Sequence, residues 1–543
     1  MNIRRGTAGA LCAALCAALL AVPAAAAPVT VAGVGTLHRA DRLTLADRTV
    51  LTQTTLTHGA AGRQEERYIE WGPGSAVTAM TAGGDTLYGG ALTLNDVSRR
   101  LTARGVEPVA VLNADVFSAE TGLPAGLLIT EGVLRATDGG RTAVGFPRAG
   151  GAFLFKSPVY VNLTARVGSN DRTITIDDVN RPRTQDRLAL YTPDFAATTR
   201  TDTAGVHVVL AVTGDLTVGG TLTGTVKEVL SGTAPAALRA GEMVLSADNR
   251  GPLLRLEGLA PGMAVGLTVR CADTRLLSCD YAVGANQRLL TNGQAASGLE
   301  AGAAPRTAVG LKADGTCVFY TVDGRQEGYS LGLSLTELAG RLLSLGCVDA
   351  VNLDGGGSTI LGARYPGQSE LTVTGRPSDG AQRRVADFIV LANQTPVQGL
   401  AERVFVYPNG AALLQNARLA FEGYATDGNY HPAPAPAFTW WSDNNAVGTL
   451  DAGGTFTAHA PGEASVAATA GGVSGGAVVR VVDTLDSLAL LNEQTGQTVT
   501  ALAVMPGETV RLTAVGLVDT LPVVSQDNCF VWDAVGHVGA VDA

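Results

Sequence analysis

Lysine is almost missing from this chain. Lys156, Lys227 and Lys312 are the only three among 39 basic residues, so arginine supplies nearly all the positive charge and a single Arg says little by itself. Charge of any sign is scarce, at 16% of residues against ~25% in an average soluble domain. The net charge is −10, which leaves no basic surplus for displacing counterions from nucleic acid. No run of ~20 uninterrupted apolar residues occurs beyond the N-terminus, so no membrane span is expected. Histidine is limited to His38, His58, His207, His431, His459 and His537. None lies in the clusters described below, so a Ser-His-Asp hydrolase or a His-ligated zinc site would need one brought in from elsewhere. What is plentiful is apolar residues, 46% of a chain of 543. That length suggests roughly three units.

The first residues read as an export signal. Arg4 and Arg5 precede the apolar stretch Ala8 to Val22, and Ala24 to Ala27 supply small residues for cleavage after Ala26. A leader over 1–26 implies a secreted or cell-surface protein. Cys12 and Cys16 fall inside it. Pairing is the default for exported cysteines, so Cys271 with Cys279 and Cys317 with Cys347 are the expected disulfides by position, with Cys529 left over. Spacing alone does not fix the pairing.

From about residue 30 to 395 the chain mixes strand and helix patterns, which reads as an α+β mixed-sheet catalytic domain. After Gly399 short alternating stretches separated by turns take over, the pattern of a β-sandwich over 400–482. The segment Trp441 to Asp451 is echoed by Trp532 to Asp542, one immunoglobulin-sized period later, so 484–543 is expected to be a second, truncated repeat. An echo also runs through the first region. Leu92 to Gly105 and Leu333 to Gly346 each read as a helix ended by Gly, and each leads into an apolar strand closed by Asn-x-Asp. Ser334 and Glu337 have the spacing of a capping box. Two such units can bring both Asn-x-Asp turns to one cleft.

Four clusters can carry chemistry. Asn113-Ala-Asp115-Val-Phe117 ends a strand and precedes a Gly/Pro loop, where sites are commonly built, although alone it reads as a turn. Pro305-Arg306-Thr-Ala-Val-Gly310 is followed by Asp323-Gly-Arg325-Gln326, and each Arg can hold paired oxygens with its planar fork. Asn352-Leu-Asp354-Gly355-Gly356-Gly357-Ser358 frees backbone N–H groups to form an anion-binding nest. Pro377-Ser378-Asp379 is followed by Gln382-Arg383-Arg384, where either Arg alone is more simply a solvated charge. This set of carboxylate, Asn and Arg suits acid/base attack at a sugar or phosphate ester. No cofactor is required by these residues. Calcium or magnesium is compatible with the aspartates, but no ligand spacing specifies a metal.

Together these clusters resemble the phosphodiester glycosidase family, over about Val31 to Ala392 and only loosely between Gly151 and Gly262. Ala114 and Val116 stand where Gly and Phe are usual, and Gln382 stands where a Glu is usual. The later module resembles bacterial immunoglobulin-like domains. The resemblance implies hydrolysis of a sugar-1-phosphodiester, such as an α-N-acetylglucosamine-1-phosphodiester, to free sugar and phosphomonoester. It implies Asp115 and Asp354 as the acid/base or nucleophilic pair, with Asp323 and Asp379 as second candidates. Arg306, Arg325 and Arg383 would hold the phosphodiester anion. Gly355, Gly356, Gly357, Ser358 and Ser378 would line the substrate, and Asn113 and Asn352 would orient it or the aspartates. The expected partner is a phosphorylated glycan, with cell-wall polysaccharide a further candidate for the sandwich repeats. The altered position 382 favours a second reading, a surface protein that binds such glycans without cleaving them. A third is a phosphodiesterase that releases sugar-1-phosphate.

Overall fold

The computed structural model describes residues 29–31, 35–58, 62–137, 140–248, 250–494, 499–505, 507–519 and 521–533. The expected leader over 1–26 lies outside them, as does most of the second Trp-to-Asp echo.

Two sheets stack over a common core. A nine-stranded sheet places Cys317–Val322, Arg306–Lys312, Cys347–Asn352 and Gln287–Thr291 side by side. A five-stranded sheet runs Thr372–Val373, Leu361–Ala363, Glu107–Asn113, Asp387–Asn393, Val77–Gly83. Leu51, Ile69, Val309, Phe319 and Val351 from the first meet Val109, Leu112, Ile389 and Leu391 from the second. Strands buried on both faces read as near-continuous apolar runs, as Asp-Phe-Ile-Val-Leu-Ala-Asn does here. One helix covers each outer face. Leu335–Ser344 lays Leu335, Leu338 and Leu342 on the nine-stranded sheet. Leu94–Ala103 lays Leu94, Val97 and Leu101 on the other.

The two halves repeat one plan. In each, a strand leads through a capped helix to a parallel strand, and a third, antiparallel strand is inserted between the two. Thr93 and Asp96 cap the first helix reciprocally, at 3.2 and 3.3 Å. Ser334 and Glu337 cap the second at 3.2 and 2.8 Å. Satisfying the exposed N–H groups this way sets where each helix starts. Gly105 and Gly346 follow the helices at φ +78° and +88°, a left-handed conformation that a side chain would strain.

Between the halves in sequence comes an eight-stranded, mostly antiparallel sheet built from segments between Val159 and Cys271, with its own core of Val161, Leu163, Leu210, Leu245 and Leu267. Val159–Val167 alternates buried and open positions along most of its length, the period-two pattern of a strand with one wet face. Beyond it, strands from Arg403–Tyr407 to Val473–Val482 close around Val404, Phe421, Phe456, Val466 and Val479. Ser487–Asn492, Leu512–Val518 and Leu521–Pro522 form a three-stranded sheet, and the following Val524 bonds back to Ala412 and Leu414 of the preceding module.

Two expectations are overturned. The described residues are 49% strand and 8% helix with three α-helices, so the first region is mostly β and not α+β. Two well-capped helices suggested more helical structure than the chain builds. The expected disulfides are absent as well: Cys271, Cys279, Cys317, Cys347 and Cys529 are all free. Cys317 and Cys347 lie on strands either side of Arg306–Lys312. Their thiols nevertheless enter different cores: Cys317 joins the inter-sheet core, and Cys347 joins the core under the helix. The Cys279 thiol instead donates to the Arg275 carbonyl at 3.6 Å. Peptide mapping of unreduced protein is expected to find Cys317 and Cys347 unlinked, and a cross-linked pair of those peptides would contradict this placement.

Candidate active site

Each half ends its inner strand in Asn-x-Asp, and the two turns are bonded to each other. Asn113 Nδ2 donates to the Asp354 carbonyl at 2.8 Å, and the Asp354 N–H donates to the Ala114 carbonyl at 2.8 Å. Asn113 Oδ1 accepts from Thr307 Oγ1 at 2.8 Å and from the Ile360 N–H at 3.1 Å. Asn113 is wholly buried, so each bond replaces water that cannot reach it. It acts as a brace between the halves. Asn352, its counterpart, donates to the Leu353 carbonyl at 2.8 Å and leaves a buried Oδ1 without a partner.

Asp115 is 1% exposed. Its carboxylate accepts from the Val116 N–H at 2.9 Å and from the Gly126 N–H. Gly126 and Gly284 close over it, and a methyl group on either would lie within 2.7 Å of Oδ2. Burial pushes its pKa up to about 6, against the pull of those N–H groups and of the Arg141 and Arg181 charges. Asp354 is half-buried on the open side of the same brace. Burial raises its pKa too, while the Ser358 hydroxyl, the Gly355 N–H and the Arg383 charge favour its ionised form.

The glycine turn is tighter than a free nest. The Gly356 N–H donates to the Pro305 carbonyl at 2.9 Å, and the Ser358 N–H to the Gly355 carbonyl at 3.3 Å. Glycine is needed because side chains crowd the turn. Arg325 lies 3.3 Å from where a methyl on Gly356 would stand, and Asp379 and Arg383 occupy the space beside Gly357. Arg383 pairs with Asp379 at 2.6 Å and reaches Ser358 Oγ at 3.5 Å. Arg325 is exposed, and among the described residues its guanidinium makes no hydrogen bond or ion pair. Ser358 and Arg383 act on Asp354 directly, and Arg325 stands at Gly356 of the same turn.

Other expected residues are committed elsewhere. Arg306 donates to the Leu333 carbonyl at 2.9 Å and the Gly302 carbonyl at 2.6 Å, so its fork faces the backbone. Asp323 Oδ2 accepts from Arg67 at 2.7 Å, Tyr329 at 2.9 Å and the Arg376 N–H at 2.8 Å. It anchors the 376 loop. Ser378 Oγ is buried without a partner, and Gln382 accepts from the Asn95 N–H at 3.3 Å near a helix start. Among the described residues no group of three His, Cys, Asp or Glu is disposed to hold a metal ion.

One acidic residue was not anticipated. Asp387 opens the strand beside Asn113, is 0% exposed, and accepts the Asp115 N–H on Oδ1 at 2.8 Å. Its carbonyl accepts the Ala114 N–H at 3.2 Å. Burial, then repulsion from Asp115 and Asp354, pushes its pKa up to about 8, with Arg181 working the other way. The signal in the sequence was a lone carboxylate at the head of the apolar run Asp387–Asn393.

Comparison with known proteins gives this arrangement a class. Residues 207–392 match the family model described as phosphodiester glycosidase, and residues 408–481 match the bacterial Ig-like domain (group 2). A segment similar to phosphodiester glycosidases is thus followed by one similar to bacterial immunoglobulin-like domains. The matched segment holds Arg306, Asp323, Arg325, the Asn352–Ser358 turn and Arg383. Asn113 and Asp115 precede it and join it through the brace. The SPbeta prophage-derived uncharacterized protein YomE of Bacillus subtilis (strain 168) is 35% identical over 123 residues, 22% of this chain and 17% of that protein. The chain therefore spans under a fifth of that relative's length. A hypothetical protein from Synechocystis shares the fold at a TM-score of 0.53 and 19% identity, over 65% of this chain and 64% of its own. A protein from Burkholderia pseudomallei K96243, described as a candidate exported protein, does so at 0.53 and 18%, over 68% of this chain and all of its own.

Replacing Asn113 with Ala strands the Ile360 N–H and the Asp354 carbonyl and leaves the Thr307 hydroxyl only its longer contact with Thr359 Oγ1, at 3.4 Å. At ~1 kcal/mol for each lost bond, a loss of about 3 kcal/mol is expected in denaturant unfolding. A change below ~1 kcal/mol would contradict the brace.

Proposed function

We propose that this chain is an exported phosphodiester glycosidase that hydrolyses a sugar-1-phosphodiester to free sugar and phosphomonoester. The observation that carries the reading is the meeting of the Asp354 carboxylate, the Ser358 hydroxyl, and the Arg325 and Arg383 cations at one glycine turn. A phosphodiester is an anion, and the two guanidiniums with Ser358 suit its non-bridging oxygens. Asp354 is then the carboxylate placed beside the anomeric carbon. Asp115, behind the cross-bonded turns, is the second carboxylate of the pair. The bond from the anomeric carbon to the bridging oxygen breaks, the sugar takes hydroxyl from water, and the phosphate leaves as the monoester with the remaining proton. Arg306 serves by holding the Leu333 and Gly302 carbonyls. The leader-like N-terminus and the immunoglobulin-like domain favour a location outside the cell, with the glycan held at a surface. Nothing in this mechanism requires a bound cofactor.

A second reading rests on Asp115, whose two oxygens are both engaged by backbone N–H groups. That leaves one open carboxylate, enough to bind a glycan phosphodiester without cleaving it. Incubation with an α-N-acetylglucosamine-1-phosphodiester separates the readings. Free N-acetylglucosamine is expected, and Asp354→Asn is expected to lower kcat at least ~100-fold with the melting temperature retained. Binding without turnover would move the assignment to the glycan-binding protein, and full activity in Asp354→Asn would remove Asp354 from the chemistry.

A further inference from the structure

Asp387 raises a question that the proposed reaction leaves open. Three carboxylates, Asp115, Asp354 and Asp387, interact across the two turns. The cations facing them are few. Arg181 faces Asp115 and Asp387, Arg141 faces Asp115, and Arg383 faces Asp354. Arg181 Nε donates to the Thr137 carbonyl at 2.6 Å, and its other nitrogens donate to the Pro124 and Gly126 carbonyls. Of the three acids, Asp387 is the most enclosed. Its Oδ1 has the Asp115 N–H, but its Oδ2 is buried with no partner. An ionised carboxylate there would leave a charged oxygen with neither water nor donor, which is costly.

The twofold plan of the domain supplies an independent observation. Thr307 stands in the second half where Asp387 stands in the first. Each immediately precedes the residue paired with the strand's last Asn, Ala308 with Asn352 and Phe388 with Asn113. Each accepts a turn N–H on its carbonyl, from Leu353 at 2.8 Å and from Ala114 at 3.2 Å. The Thr307 hydroxyl donates across the brace to Asn113 Oδ1. By the same relation, the acceptor expected opposite Asp387 is Asn352 Oδ1, itself a buried oxygen without a donor. Two orphan acceptors at related positions lack one hydrogen.

We propose that Asp387 is held as a neutral carboxylic acid whose proton completes the second half of the brace, making it a positioning residue for the Asp115 and Asp354 turns. The proton lies on Oδ2, and Asn352 Oδ1 receives the hydrogen bond. The charge of the cluster is then carried by Asp115 and Asp354, which face Arg141, Arg181 and Arg383. The inference concerns the protonation of this site and holds whichever substrate the site takes.

The consequence for stability has a definite sign. The folded chain keeps on Asp387 a proton that the unfolded chain releases at pH ~4. Folding therefore binds a proton above that pH, and stability falls as pH rises toward the higher folded-state value. The test compares the wild-type chain with Asp387→Asn and Asp387→Ala. Asn mimics a neutral acid, so D387N is expected to fold, to keep turnover within ~3-fold, and to lose most of the decline in Tm between about pH 5.5 and about pH 8. Difference infrared spectroscopy at neutral pH is expected to show one protonated-carboxyl band in wild type that D387N lacks. D387A is expected to lower the Tm at every pH, and if it fails to fold, D387N still decides the question. An unchanged infrared band in D387N, or an unchanged slope of Tm with pH, would overturn the proposal. So would loss of turnover in D387N with its Tm intact, which marks an ionised base. The infrared and melting readouts need no substrate, so their failure is distinct from failure of the glycosidase reading.

Discussion

The domain depends on one set of hydrogen bonds, those that Asn113 makes between two turns from opposite sheets. Each sheet has its own helix and its own outer core. What brings the ends that carry the Asn-x-Asp turns into register is a buried amide with three partners, together with the Asp354 N–H returning to the Ala114 carbonyl. Apolar burial presses the sheets together at ~25 cal/mol per Å² but is indifferent to small slides. Hydrogen bonds are directional, and unmade ones are penalised when buried. Position along the sandwich is therefore set by polar groups and adhesion by apolar ones.

The same brace divides the acids into two environments. Asp354 lies on the open side among a hydroxyl and cations. Asp115 and Asp387 lie behind it, where burial raises the proton affinity of both and repulsion from Asp115 and Asp354 raises that of Asp387 further. Groups of one chemical type thereby acquire different proton affinities from their surroundings. The glycines serve this geometry by giving up volume: Gly126 and Gly284 make room for Asp115, and Gly357 for the Asp379–Arg383 pair.

Much of this was legible in the sequence, for reasons that can be named. The two helix–Gly–strand–Asn-x-Asp units were visible because capping residues and left-handed glycines are local signals. The strands of the later sandwich were visible through their alternation. The predominance of strand in the first region was not, since apolar runs of Val, Ile, Leu and Ala do not distinguish buried strands from helices. Cysteine pairing was misjudged because spacing in sequence does not reveal which face of a sheet a thiol takes. Arg306 looked like an anion ligand, yet its fork is turned to carbonyls, a choice only tertiary structure makes. Asp387 carried no motif at all, and its importance comes from a neighbour 272 residues away in sequence.

The central claim is that bond breaking occurs at the anomeric carbon and not at phosphorus. Hydrolysis in water enriched in heavy oxygen, followed by mass analysis of both products, addresses it directly. The account predicts that the label enters the free sugar and that the phosphomonoester carries none. Label in the phosphate, with sugar-1-phosphate among the products, would contradict it.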